Sequence, residues 1–245
     1  MILPSIQSKA NAGQKQLAVL IDPDRLSGSA LEKTISLATT YQADLLLVGS
    51  SLLTQGNMND TIEVIRKHSP LPVVIFPGNT LQVSGKADAL LFLSLISGRN
   101  AEMLIGKHVV AAPYIRESGL EVIPTGYMLI DSGKPTAALY MSHSQPIPAD
   151  QFDIALCTAQ AGEMLGLKMI YMDAGSGAAH PIDPEMIARV RAGIQIPLII
   201  GGGIRKADQA ITAWKAGADL IVVGNAIERD PSFITELTQA REKLL

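Results

Sequence analysis

Apolar runs of strand length alternate along the chain with segments whose apolar residues recur at helical spacing, and that alternation predicts a parallel α/β architecture. The strand-like runs lie at 16–21, 44–48, 73–76, 89–93, 122–125, 169–173, 198–200 and 220–223. Helical spacing covers 28–41, 60–68, 149–165, 184–192, 206–216 and 232–245. Asp183-Pro184 and Asp230-Pro231-Ser232 are start signals, since an acidic cap followed by Pro suits the first turn of a helix. Eight strand-like runs with no linker or low-complexity segment between them predict a single (β/α)8 TIM-type barrel over residues 1–245, a normal length for that fold.

One unit departs from the pattern. PGNTLQVSGKAD, residues 77–88, is too short and too interrupted by Pro77, Gly78 and Gly85 to form a barrel helix. The third helix is therefore expected to be missing or replaced by extended chain. Such a gap either opens the wall to something long and apolar or only shortens a loop. A weak internal echo places Ala-Asp before three runs, at Ala43-Asp44, Ala87-Asp88 and Ala218-Asp219. It reads equally as duplicated half-sites or as the ordinary entry of a parallel strand.

Composition narrows the class. Hydrophobic residues make up 47% and aromatics only 4%, as suits strands buried on both faces by Val, Ile, Leu and Ala. A net charge of −3 without a Lys/Arg run offers nucleic acid no electrostatic footprint. With one cysteine, Cys157, no internal disulfide forms, and a reducing, cytoplasmic setting is expected. Cys157 lies in the helical stretch DIALCTAQAGEML and is expected to be a small buried hydrophobe. The N-terminus lacks a signal-peptide h-region, and no transmembrane segment is expected. His68, His108, His143 and His180 show no metal-ligand spacing.

Barrel active sites form at the C-terminal ends of the strands, so the loops there carry the chemistry. Gly201-Gly202-Gly203 follows the seventh strand and Gly224-Asn225 the eighth, a pairing that suits phosphate held on backbone amides. After the sixth strand, Asp173 stands before Gly175-Ser176-Gly177 and can accept hydrogen bonds from substrate hydroxyls. Asp22-Pro23-Asp24-Arg25 follows the first strand and Ser50-Ser51 the second. That oxygen-rich set suits Mg²⁺ shared with substrate phosphates, while Asp-Pro-Asp is equally common turn chemistry.

Taken together, LIDPDR, VGSSLL, VVIFPGN, ADALLFLSLISGRN, IPTGYMLID, YMDAGSGA, IIGGGIR and GADLIVVGNAIE resemble the geranylgeranylglyceryl phosphate synthase family, in particular its second group. They are similar, less closely, to heptaprenylglyceryl phosphate synthases. The likeness runs from about Gln16 to the last helix. It implies transfer of a geranylgeranyl group from its diphosphate to the 3-hydroxyl of sn-glycerol 1-phosphate. By position it implies Mg²⁺ on Asp22 and Ser51. It implies glycerol phosphate on Tyr171, Met172, Asp173, Ala174, Gly175, Ser176, Gly177, Gly202, Gly203, Gly224 and Asn225, with Asp173 as the catalytic carboxylate. It further implies a homo-oligomer, dimer or hexamer, and leaves room for peripheral membrane contact. The chain departs from the family in having Asp173 where Glu is usual and Ser50 where a second Gly is usual. Leu20 stands where the heptaprenyl enzymes carry Lys, which favours the geranylgeranyl branch. The competing readings are a sugar-phosphate isomerase of the same barrel type and a non-catalytic phosphometabolite-binding protein.

Overall fold

The computed structural model describes residues 1–244, so the end of the predicted last helix, Leu245, lies outside the described residues. Eight parallel strands close into a barrel in chain order: β1 (Gln16–Ile21), β2 (Leu45–Val48), β3 (Val73–Ile75), β4 (Ala89–Leu95), β5 (Glu121–Leu129), β6 (Met169–Asp173), β7 (Leu198–Gly201) and β8 (Leu220–Val223). Closure comes from β8 pairing with β1, Leu220 beside Gln16 and Val223 beside Val19. The helices are α1 (Ile2–Asn11), α2 (Gly28–Thr40), α3 (Met58–His68), α4 (Lys107–Ser118), α5 (Ala137–Ser142), α6 (Phe152–Met164), α7 (Pro184–Gly193), α8 (Ala207–Ala216), α9 (Asn225–Arg229) and α10 (Phe233–Glu242). No helix joins β3 to β4, as the glycines and Pro77 of that segment require.

Alternation along each strand sorts the core into two layers. Ala18, Leu45, Leu47, Val74, Leu91, Ile123, Tyr171, Ile199 and Val222 fill the barrel interior. Their sequence neighbours Leu17, Val19, Leu46, Val73, Leu90, Met172, Ile200 and Val223 pack outward under the helices. Both faces are thus dry, which is why the strands read as continuous apolar runs.

Four helices lie outside the predicted set. The most consequential is α4, preceded by a π-helical turn at Glu102–Gly106 and holding Pro113 in its interior. It buries only Ala111 and Ile115 and leaves Val109, Val110 and Tyr114 exposed, so it lacks the apolar stripe that marks a helix in sequence. Strand β5 extends past its expected end at 125 because β4 stays in register with it up to Leu95 beside Tyr127. Cys157 is exposed rather than buried. Ala155, Ala159 and Gly162 form the inward face of α6, and position 157 is turned away from them by the 3.6-residue period.

The N-terminal end of the barrel is closed by polar contacts of one repeated kind. Asp44, Asp88 and Asp219, just ahead of β2, β4 and β8, accept the main-chain N–H of Leu17, Val73 and Leu198, each at 2.8 Å. Their own N–H groups donate back to the carbonyls of those residues. Each carboxylate also pairs with an arginine: Asp44 with Arg241, Asp88 with Arg66 and Asp219 with Arg191. Of the two readings of the Ala-Asp echo, strand entry is therefore the correct one. Helix α1 covers this end, with Ile6 in the interior cluster and its first amides, from Ile2 and Leu3, donating to Glu121.

Candidate active site

At the opposite end a cavity of about 790 Å³ opens among the loops that follow the strands. Three aromatic rings form its floor. Phe76 stacks on Tyr171 at 5.2 Å between centroids, and Tyr127 meets both rings edge-on. Above them stands Asp173, 7% exposed. Its Oδ2 accepts the Tyr127 hydroxyl at 2.6 Å and its Oδ1 the Gly175 N–H at 2.7 Å. Burial raises the Asp173 pKa above the usual aspartate value, and the two hydrogen bonds pull against that rise. Burial also pushes Tyr127 and Tyr171 well above the ordinary phenol range, so both rings stay protonated and Tyr127 serves as a donor.

Loops six, seven and eight converge on one side of this carboxylate. Ser176, Gly177, Gly202, Gly203, Gly224 and Asn225 all line the cavity. Their N–H groups donate to no acceptor among the described residues. Uncommitted amides facing a cavity are a ready anion cradle. Gly202 and Gly203 have φ of 79° and 73°, and a Cβ on Gly202 would lie 2.6 Å from the Gly175 nitrogen, so only glycine lets loop seven approach loop six this closely. Ser176 Oγ donates to Asn225 Oδ1 at 2.7 Å, and Arg205 donates to the Ala178 carbonyl, holding the loops together.

Three residues of the predicted glycerol-phosphate set lie elsewhere. Met172 and Ala174 pack in the outer layer under the helices, and neither lines the cavity. The alternation that points Tyr171 and Asp173 inward points these two outward. Their positions in the contiguous run YMDAGSGA come from the resemblance, whereas the pleat separates them from the site. Gly175 also stays out of the cavity lining, because its amide is already committed to Asp173.

Asp22 and Ser51 both reach the cavity on its other side. Asp22 Oδ1 accepts the Asp24 N–H at 3.0 Å and Oδ2 accepts Ser50 Oγ at 3.1 Å, so the hydroxyl on this carboxylate is that of Ser50. Arg25 bridges Asp22 and Glu228 at 3.5 and 3.6 Å, and burial raises the Glu228 pKa. Asp24 has a different task from Asp22. It accepts the amides of Thr54, Gln55 and Gly56 and the Thr54 hydroxyl, and those amides, Gly56 foremost, hold it far below the carboxylate range. Both carboxylates of the Asp-Pro-Asp motif thus line the cavity, and Asp24 is in addition a loop staple. Among the described residues no three His, Cys, Asp or Glu side chains gather as a metal cage. Asp22 nonetheless keeps lone-pair capacity beyond its two donors. One carboxylate with nearby hydroxyls fits a hard cation that completes its shell with water and substrate oxygens.

The rest of the cavity is a largely apolar groove, with Glu102, Lys107 and His108 among its few polar residues. Val83, Phe92, Leu93, Met103, Ala111 and Ile115 line it between β4, α4 and the helix-free segment. The missing helix therefore opens the wall rather than merely shortening a loop. His108 stands in this groove, edge-on to Phe92 at 4.6 Å. Burial lowers its pKa, and its Nδ1 has no partner among the described residues, so the ring is neutral. Sequence reading missed Tyr127, His108 and Glu228. Only Tyr127 had a signal, its place level with Tyr171 at the top of an adjacent strand.

The chain matches the PcrB family over residues 11–241. It is 50% identical over 232 residues to the geranylgeranylglyceryl phosphate synthase of Spirosoma linguale, covering 94% of this chain and 93% of that protein. Against the enzyme of the same name from Chitinophaga pinensis the identity is 51%, over 93% of this chain and 90% of that one. The crystal structure of (S)-3-O-geranylgeranylglyceryl phosphate synthase from Thermoplasma acidophilum, in complex with its substrate sn-glycerol-1-phosphate, superposes with a TM-score of 0.93. It is 30% identical and covers 99% of both chains.

Proposed function

The chain belongs to the PcrB family, and from that premise we propose that it joins a geranylgeranyl group from geranylgeranyl diphosphate to the 3-hydroxyl of sn-glycerol 1-phosphate. One observation carries the reading: an amide cradle and an apolar groove share a single cavity, with Asp173 lining it. A sugar-phosphate isomerase needs the cradle but has no use for the groove.

Glycerol phosphate sits with its phosphate on the amides of loops six to eight, which brings its 3-hydroxyl to Asp173. The prenyl tail lies along Phe92, Met103 and Ile115, with its diphosphate toward Asp22, Arg25 and Ser51. Holding both substrates this way makes the encounter effectively intramolecular. The hydroxyl oxygen bonds to the allylic carbon, the carbon–oxygen bond to diphosphate breaks, and diphosphate leaves with the electron pair. Asp173 orients the hydroxyl and takes its proton. Its raised pKa makes the carboxylate a stronger base than an exposed aspartate, and the Tyr127 hydrogen bond fixes its direction. The apolar walls exclude water that would otherwise trap the allylic cation. Asp22 and Ser51 would hold Mg²⁺, which when bound neutralises diphosphate charge and improves the leaving group. Assembly as a homo-oligomer is part of the same proposal.

The test is incubation of the protein with sn-glycerol 1-phosphate and farnesyl, geranylgeranyl or heptaprenyl diphosphate, with lipid products identified by mass. Geranylgeranylglyceryl phosphate should dominate, and a chelator should abolish turnover. Best turnover of the heptaprenyl substrate would move the chain to the sister activity, and no lipid product at all would refute the reading.

A further inference from the structure

The amides of the cradle bring only partial charges to a dianionic phosphate, so the formal cations around it decide how much of its charge is met. Five basic side chains line the cavity: Arg25, Lys107, Lys134, Arg205 and Arg229. Arg25 is paired with Asp22 and Glu228, and Arg205 is committed to the Ala178 carbonyl. Arg229 belongs to the same acidic side, where its charge acts on Glu228. Lys107 begins α4, beside the apolar groove. Lys134 makes no ion pair among the described residues, a property it shares with Lys107 and Arg229, and what sets it apart is its place against loop six beside Gly177. Its ammonium has neither a carboxylate nor a hydrogen-bond acceptor among the described residues.

Its position is set by the loop that carries it. Residues 131–136 follow β5 and run alongside loop six. Ahead of Lys134, the Ser132 carbonyl accepts the His180 N–H at 3.3 Å. Behind it, Thr136 packs on Gly175 so closely that a Cβ there would lie 2.7 Å from the threonine side chain. Both anchors tie loop five to loop six and flank the lysine. Between them Lys134 Nζ comes within 3.9 Å of the point a Cβ on Gly177 would occupy, and no other contact within 4 Å is made there. The open space beside Gly177 is therefore bordered by an unpaired ammonium and by the uncommitted amides of Ser176 and Gly177.

We propose that Lys134 is a phosphate-binding residue of the acceptor site, which closes over loop six and selects a dianionic phosphomonoester over neutral glycerol. This rests on the reading of the cavity as a glycerol-phosphate site. It adds to that reading the residue that supplies the formal positive charge. An ammonium placed this way contributes a charge-assisted hydrogen bond. Its effect falls on acceptor affinity and not on the chemical step, because the phosphate keeps the same charge throughout prenyl transfer.

Lys134→Met and Lys134→Arg test this, with steady-state kinetics and with calorimetric binding of inorganic phosphate and of glycerol 1-phosphate. Lys134→Met should raise the KM for glycerol 1-phosphate and the Kd of both ligands about 10- to 100-fold, the range of a hydrogen bond to a charged group. The KM for geranylgeranyl diphosphate and the Tm should stay unchanged, and Lys134→Arg should restore most of the affinity. A rise in the KM for the prenyl diphosphate instead would overturn the proposal by assigning Lys134 to the other substrate. A lowered Tm with phosphate affinity intact would overturn it in favour of a loop brace. If the wild type bound phosphate through Lys134 yet formed no lipid, the proposed activity would fall and this assignment would stand. If it bound no phosphate, the assignment would fall.

Discussion

The two ends of the barrel treat their polar groups in opposite ways. At the N-terminal end, carboxylates, arginines and strand amides satisfy one another: Asp219 accepts the Leu198 amide and Arg191, each at 2.8 Å. At the C-terminal end, amides of three loops and the ammonium of Lys134 face a cavity without partners among the described residues, and Asp173 is buried beside phenols without a cation. Paired polar groups stabilise the fold and have nothing left to offer a ligand. Unpaired ones cost stability and are available for binding and catalysis. The same residue type, aspartate, therefore braces the fold at one end and, in the proposed reaction, acts on the substrate at the other.

Substituting one aspartate at each end separates the roles. Asp173→Asn keeps the shape but cannot take a proton, so kcat should fall about 10²- to 10⁴-fold. The Tm should hold or rise, since a buried charge without a cation is removed. A lowered Tm with kcat per folded molecule intact would make Asp173 a mere turn cap and erase the contrast between the ends.

The converse substitution is Asp219→Ala, which leaves the Arg191 guanidinium without its counter-ion and the Leu198 amide without its acceptor. A loss of about 3 kcal/mol is expected, lowering the Tm by about 6–12 °C for a chain of this size. Turnover per folded molecule at a permissive temperature should be unchanged. A fall in kcat at full occupancy of the folded state would show that the two ends are coupled.

The smallest expected effect is on pH dependence. Burial raises the Asp173 pKa, so the folded protein binds this proton more tightly than the unfolded chain does. As pH falls through that raised value stability is gained and activity is lost, which places the acid limb of kcat above the usual aspartate range of about 4. Tyr127→Phe removes a hydrogen bond that favours the ionised form, so the acid limb should move further up. Movement in the other direction would mean that the phenol does not donate to Asp173.

How much of this was legible in the chain follows from whether each feature is local. Strand runs, the break at residues 77–88 and the glycine pairs are short-range patterns, and each marks a backbone requirement that no distant residue can alter. They were enough for the barrel, its gap and the glycine loops that converge on the cavity. The alternation of β6 was legible too, and applied strictly it places Tyr171 and Asp173 in the barrel and Met172 and Ala174 outside it. Sequence could not distribute the acidic residues between roles. Asp22 and Asp24 are two positions apart, yet only the fold of residues 54–56 turns Asp24 into a staple. Nor could it identify Tyr127 as the partner of Asp173, or place Lys134 beside Gly177, because those pairings span 46 and 43 residues. Local sequence determined the strands and loops of this protein. Barrel closure decided which charges would be neutralised and which left free, because it alone brings distant loops to the same end.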